Sequence, residues 1–136
     1  MSSIQNQHTY TLRNCAGGTV MDLSGRDKYS IIGFNNNNGT NQAWIFQEND
    51  DGWFIKSVYN DRYLGIEVDP AHGTRLVAGP SPCKWDIRDS DVQGFEGIRI
   101  LLHGQTLSVE LSDYGNAKGG TPIRLAISWH GSNQIW

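Results

Sequence analysis

One short phrase occurs three times in this chain and ends each time in tryptophan. The first copy reads Val20-Met21-Asp22-Leu23, then Ser30-Ile31-Ile32-Gly33, then Asn41-Gln42-Ala43-Trp44. The second reads Gly65-Ile66-Glu67-Val68, Thr74-Arg75-Leu76-Val77 and Cys83-Lys84-Trp85. The third reads Ser108-Val109-Glu110-Leu111, Thr121-Pro122-Ile123-Arg124 and Asn133-Gln134-Ile135-Trp136. The acidic position recurs after 45 and 43 residues, the small hydroxyl position after 44 and 47. A repeat of roughly 45 residues means that one supersecondary unit, unable to bury its apolar face alone, is used three times around a shared core. The units run approximately over 8–51, 52–93 and 94–136.

Within each unit the local signals are those of strands. Tyr10-Thr11-Leu12 alternates and is followed by the turn Cys15-Ala16-Gly17-Gly18. Thr19 to Leu23 alternates again, Ser24-Gly25-Arg26-Asp27 turns, and Ser30 to Phe34 reads as a third strand. After the Asn35–Thr40 loop comes the strand Ala43-Trp44-Ile45-Phe46. The second unit restarts at Trp53-Phe54-Ile55 and the third at Ile98-Arg99-Ile100, with Glu48 to Gly52 and Asp89 to Gly94 as polar joints. One strand per 11 residues or so is the spacing of an all-β barrel or sandwich. No stretch of ten residues combines helical periodicity with a cap, so helix content should be very low. Twelve strands in three equivalent fours predict a β-trefoil, a six-stranded barrel closed at one end by three hairpins, as a single domain over 1–136.

Composition excludes several function classes. A chain of 136 residues can bury about two-thirds of its unfolded surface without metal or disulfide. Charged residues make up 18 %, and the net charge of −3 leaves no basic stripe for phosphates. Nucleic acid and anionic membrane are therefore not expected partners. No apolar run approaches 18 residues and no cationic-then-apolar leader opens the chain, so neither a transmembrane span nor membrane insertion is expected, and the protein is placed in the cytoplasm. Cys15 and Cys83 fall in different repeats with no ligand pattern around them, which favours two free thiols in a reducing compartment.

Trp44, Trp85 and Trp136 are core by pattern, together with Leu12, Leu23, Ile32, Ile55, Leu64, Leu76, Ile100, Leu107 and Leu111. A buried indole supplies much apolar area and asks for one hydrogen-bond partner. Gln42 and Gln134 should brace the turns of their own repeats through their side-chain amides.

The Gln-x-Trp phrase closing the first and third units, in phase with the threefold repeat, resembles the ricin-B-type lectins over nearly the whole length. The opening Thr9-Tyr10, Gly17-Gly18-Thr19-Val20, Asp22-Leu23-Ser24-Gly25 and Ser30 to Phe34 is similar to single-domain lectins of fungi. That resemblance implies a non-catalytic carbohydrate-binding protein without metal or cofactor, directed at terminal galactose or N-acetylgalactosamine. It implies a shallow site on one repeat, where an acidic side chain accepts hydroxyl hydrogen bonds and an aromatic ring stacks on the sugar. Bonds to a charged acceptor are about twice as strong as neutral ones. In the first repeat Asp22 supplies the carboxylate, Ser24 and Gly25 the turn, Phe34 the ring, and Asn41 with Gln42 the polar rim. Asn36 and Asn38 could reach an extended or acetylated sugar. The bland alternatives are a solvated turn residue for Asp22 and an ordinary barrel residue for Phe34.

The other repeats depart from this pattern. In the second, Glu67 takes the acidic position, Ala78 or Gly79 the ring position and Pro82-Cys83 the Asn-Gln position, so the site is expected to be lost. In the third, Glu110, Asn133 and Gln134 survive while Ala126 replaces the ring, and Trp129 could substitute from the following loop; these four form a weaker second set. The four histidines are scattered, without metal-ligand spacing, and the acidic joint Glu48, Asp50, Asp51 lacks a calcium-loop pattern. The rival reading is a protease inhibitor acting through a projecting loop, with Gly79-Pro80-Ser81-Pro82-Cys83 as the segment. A single shallow site is weak, and linking two raises avidity by roughly 10²–10⁴, so a homodimer that crosslinks glycans in a defence role is expected.

Overall fold

A computed structural model describes residues 3–136. It contains eleven strands: β1 (His8–Tyr10), β2 (Val20–Leu23), β3 (Ile31–Phe34), β4 (Trp44–Asn49), β5 (Gly52–Ser57), β6 (Tyr63–Gly65), β7 (Val77–Gly79), β8 (Trp85–Asp89), β9 (Ile98–Leu102), β10 (Leu107–Leu111) and β11 (Thr121–Ile127). All pairings are antiparallel. The fold is a β-trefoil. The hairpins β2–β3, β6–β7 and β10–β11 meet one another through Thr121↔Gly33, Ser30↔Val77 and Arg75↔Arg124. The strands β1, β4, β5, β8 and β9 follow one another in the barrel wall.

The expected twelfth strand is absent as a ladder. Its place is held by the main chain of Ile135 and Trp136, which exchanges hydrogen bonds with Ile98 at 2.8 and 2.9 Å and accepts the Cys15 N–H at 2.9 Å. The sheet path therefore stays open, and a few backbone bonds join the third repeat to the first. Gly97 makes the approach possible: its φ is +140°, and a Cβ there would collide with the Trp136 carbonyl. The polar joint after Glu48 is a tight turn in a hairpin whose strands pair from Trp44↔Ser57 to Asn49↔Gly52. Among the described residues helix is confined to two turns of 3₁₀, Thr40–Gln42 and Ser132–Gln134, and one distorted turn, α1 (Ser112–Gly115), with Asp113 and Tyr114 at positive φ.

The core gathers one tryptophan from each repeat, with Trp44 and Trp85 fully buried and Trp136 nearly so. Each indole N–H donates to a backbone carbonyl of its own repeat's hairpin: Trp44 to Met21 at 3.0 Å, Trp85 to Leu64 at 3.0 Å, Trp136 to Val109 at 3.1 Å. Leu12, Leu23, Ile55, Leu64, Leu76, Ile100 and Leu111 are buried as expected, and Leu107 packs on the core half-buried. Ile32 is the exception. Strand side chains alternate, and β3 turns Ile31 and Gly33 inward, so Ile32 and Phe34 stand on the outer face. Both cysteines are free and half-buried, and burial pushes each thiol above its ordinary pKa.

Trp44→Phe keeps an aromatic ring but strands the buried Met21 carbonyl, which costs about 1–3 kcal/mol before any cavity is counted. Urea unfolding should show that loss; an unchanged midpoint would mean the indole bond contributes nothing.

Candidate functional site

The indole bonds fix which residues are equivalent. Since Met21, Leu64 and Val109 receive them, the next residues, Asp22, Gly65 and Glu110, occupy one position in the three hairpins. Glu67, expected at the acidic position of the second repeat, lies two residues beyond it. It instead accepts the Tyr29 hydroxyl at 2.6 Å. Gly65 carries no side chain to hold a ligand, and a Cβ there would sit 3.1 Å from Cys83 Cβ. Pro82 and Cys83 stand where Asn and Gln stand in the other repeats, so the second repeat lacks the set. The Pro80–Pro82 part of its loop is exposed and lies beside this altered position.

In the first repeat the 3₁₀ turn Thr40–Gln42 swings two amides onto Asp22. Gln42 Nε2 donates to Oδ2 at 2.8 Å and Asn41 Nδ2 to Oδ1 at 3.2 Å. The same nitrogens donate onward to the carbonyls of Asn35 (2.8 Å) and Leu23 (3.0 Å), and Gln42 Oε1 accepts the Asn37 N–H at 2.9 Å. Gln42 thus braces its own loop and holds the carboxylate at once. Asp22 is 3 % exposed, which excludes a solvated turn residue. Burial raises its pKa above the ordinary aspartate value, partly offset by the bonds from Gln42 and Asn41.

Phe34 shares the outer face with Asp22, because Asp22 pairs with Ile32 and Phe34 follows two residues on. Its ring is 41 % exposed and leans on Gly119 of the third repeat, unlike an ordinary barrel residue. Ser24 is buried, and its Oγ accepts the Arg26 N–H at 3.3 Å. Beyond Gly25 is open space, a Cβ there meeting nothing within 4 Å. Asn36 and Asn38 are exposed on the adjoining loop, tied together by a 3.0 Å bond from the Asn38 N–H to Asn36 Oδ1.

The third repeat builds the same bracket around a longer acid. Gln134 Nε2 and Asn133 Nδ2 donate to Glu110 Oε1 at 3.0 and 3.4 Å, and Arg124, directly opposite in the hairpin, donates from Nε to Oε2 at 2.9 Å. Trp129 follows β11, 46 % exposed, with its ring centroid 6.3 Å from Tyr114 in an edge-on arrangement. Glu110, Tyr114, Arg124, Trp129 and Asn133, with His72, Asp113 and Ile127, line a cavity of about 450 Å³. Sequence reasoning named Glu110, Trp129, Asn133 and Gln134 but passed over Tyr114, Arg124 and Arg99. Arg99 is buried and fans out to Asp91 (2.9 and 2.7 Å), Ser108 Oγ (3.0 Å), Gln134 Oε1 and the Trp129 carbonyl (3.0 Å). A charge between Ile98 and Ile100 in an otherwise apolar strand was the available signal. Among the described residues no group of three His, Cys, Asp or Glu could hold a metal ion, and no helix is long and apolar enough to cross a membrane.

Fold and site together define a β-trefoil whose outer faces present acid, amide and aromatic side chains. The family model for ricin-type β-trefoil lectin-like domains matches residues 3–78, and the chain belongs to that family. Its members are carbohydrate binders and not catalysts. Among solved structures, the ricin B-like lectin of Macrolepiota procera, determined in complex with lactose, is 38 % identical with a TM-score of 0.95, covering 99 % of this chain and 96 % of that one. The Rhizoctonia solani agglutinin is 23 % identical with a TM-score of 0.87, covering 100 % and 96 %. A designed threefold-symmetric protein, ThreeFoil, shares the fold at 15 % identity and a TM-score of 0.83, covering 94 % and 95 %. No curated protein sequence matches the chain.

Arg99→Met removes a buried cation that holds both Gln134 and the Trp129 loop. Hydrogen bonds to charged groups contribute about 1.5–3 kcal/mol, so chemical denaturation should register a loss of that size. An unchanged unfolding free energy would show that Arg99 does not organise the third repeat.

Proposed function

We propose that the first repeat binds a terminal galactose or N-acetylgalactosamine without metal. The observation that carries the reading is Asp22, a carboxylate clamped from behind by Asn41 and Gln42 on the face that presents Phe34. A carboxylate has about four acceptor positions, and two here are taken by the amides, which leaves capacity for sugar hydroxyls. Burial keeps water from competing for that capacity. Phe34 gives a half-open ring against which the C–H face of a galactose-type sugar packs, and the open space beyond Gly25 admits the ring edge. The lactose complex of the M. procera lectin supports the same sugar class, since lactose ends in galactose.

One shallow site should bind a monosaccharide at about the millimolar level, near −4 kcal/mol. Firm attachment to a glycan-coated surface then calls for linked sites, so the reading extends to a homodimer acting as a crosslinking defence lectin. Light scattering should return about twice the chain mass of 15.2 kDa; a monodisperse monomer contradicts the pairing.

Calorimetry with lactose tests the site itself. Asp22→Asn, which keeps the volume but removes the charge, should weaken binding about 10- to 150-fold. Phe34→Ala should weaken it with little change in stability, because the ring is exposed. The ionised carboxylate is the form that accepts hydroxyls, and its pKa is raised by burial. Affinity should therefore fall on acidification at a higher pH than for an ordinary aspartate, and be lost once the pH is below the folded pKa. Full lactose affinity in Asp22→Asn would overturn the reading.

A further inference from the structure

The run Asn35-Asn36-Asn37-Asn38-Gly39 leads into the turn that clamps Asp22, and we propose that Asn38 is a self-modification site whose deamidation loosens that clamp. The effect on sugar binding rests on the reading above; the modification itself does not. Asn38-Gly39 is the one Asn-Gly pair in the chain, and glycine has no Cβ to shield its nitrogen. Once base removes its proton, the Gly39 nitrogen attacks Asn38 Cγ. A bond forms between them, the Cγ–Nδ2 bond breaks, and Nδ2 leaves as ammonia. Water then opens the cyclic imide, at the main-chain carbonyl to give isoaspartate or at Cγ to give aspartate. No oxidant or partner other than water is consumed.

The structure separates Asn38 from the other asparagines. Asn41 and Asn133 hold carboxylates, and Asn36 and Asn37 accept the N–H groups of Asn38 and Gly39 at 3.0 and 2.8 Å. The Asn38 side chain is exposed and has no hydrogen-bond partner among the described residues. Asn35 and Asn49 are equally unheld, but they precede Asn36 and Asp50, whose side chains screen the attacking nitrogen. The bond from Gly39 N–H to Asn37 Oδ1 lies at the surface, where water replaces it when the nitrogen turns toward Asn38.

The consequence follows from Gln42, which bonds the loop on both sides of Asn38. Its Nε2 donates to the Asn35 carbonyl at 2.8 Å, its Oε1 accepts the Asn37 N–H at 2.9 Å, and its own N–H donates to the Gly39 carbonyl at 3.0 Å. The same Nε2 donates to Asp22 Oδ2 at 2.8 Å. Isoaspartate carries the main chain through Cβ and Cγ, which adds one atom between Asn37 and Gly39. Gln42 then cannot keep its partners on both sides, and Asp22 loses the donor that holds it. Aspartate preserves the chain length and leaves the bracket standing.

The test incubates the purified protein in mildly alkaline buffer, where the Gly39 nitrogen loses its proton most readily. Peptide mass spectrometry should locate a gain of one dalton at Asn38, in two chromatographic forms, arising more slowly in mildly acidic buffer. In ¹⁵N-labelled protein the Gln42 side-chain amide signals should shift as the isoaspartate form accumulates. Calorimetry on that isolated form should find lactose binding weakened about tenfold or more relative to fresh protein. Asn38→Gly adopts the same left-handed backbone, φ +58°, without strain and has no amide to attack. It should keep its own starting spectrum and affinity through the same incubation. No gain at Asn38, an equal gain at other asparagines, or an isoaspartate form with unmoved Gln42 signals or full lactose affinity overturns the proposal. Fresh protein that fails to bind lactose removes the reading above, and the mass and the Gln42 signals then decide this inference by themselves.

Discussion

The hydrogen bond from a buried indole to the carbonyl before the acidic position is the constraint on which the rest depends. It occurs three times, at 3.0, 3.0 and 3.1 Å, and each time it ties the end of a repeat to its own hairpin. A buried indole N–H must find an acceptor, and the carbonyl of an inward-facing strand residue is available without disturbing a side chain. Once that bond is made, strand alternation turns the following residue outward. The residue two before each tryptophan is brought against it in the same stroke. The core thereby sets the register of the outer face, and the outer face can vary without cost to the core.

The three repeats use that freedom differently. The first places Asp22 under Asn41 and Gln42 and leaves Phe34 free on the same face. The second fills the position with Gly65 against Cys83 and keeps only the packing function. The third replaces Ile32 by Arg124 at the cross-strand position, which pairs with the longer acid Glu110. Trp129 and Tyr114 rise beside it, held by Arg99 from below and by the positive-φ turn at Asp113 and Tyr114. A single structural device thus carries a clamped aspartate beside an exposed ring, a bare glycine, and a glutamate paired with arginine.

Much of the fold was legible because the repeat is long and the tryptophans are few. The three hairpins, the barrel strands and ten of the twelve core residues singled out by pattern were readable as alternation between turn signals. The failures are local. In a strand of four residues with two adjacent isoleucines, sequence does not say which faces inward, so Ile32 was placed in the core and Ile31 was not. Glu67 stands two residues beyond Gly65, a shift that alternation does not detect; the Trp85 bond to the Leu64 carbonyl is what makes Gly65 the equivalent of Asp22. The twelfth strand shrank to Ile135 and Trp136, where hydrogen bonds to Ile98 and Cys15 replace a ladder. Asp22, Asn41 and Gln42 could be grouped from sequence because a repeated phrase contains them all. Arg99 could not, since its partners Asp91, Ser108, Trp129 and Gln134 are scattered over more than 40 residues.

The central claim is that the register set by Trp44 assembles a galactose-type site around Asp22. Backbone amide mapping during a lactose titration tests it most directly. The account predicts shifts concentrated at Asp22, Gly25, Phe34, Asn41 and Gln42, with the equivalent positions Gly65, Gly79 and Cys83 of the second repeat unaffected. Shifts centred on the second repeat, or none in the first at saturating lactose, would contradict it.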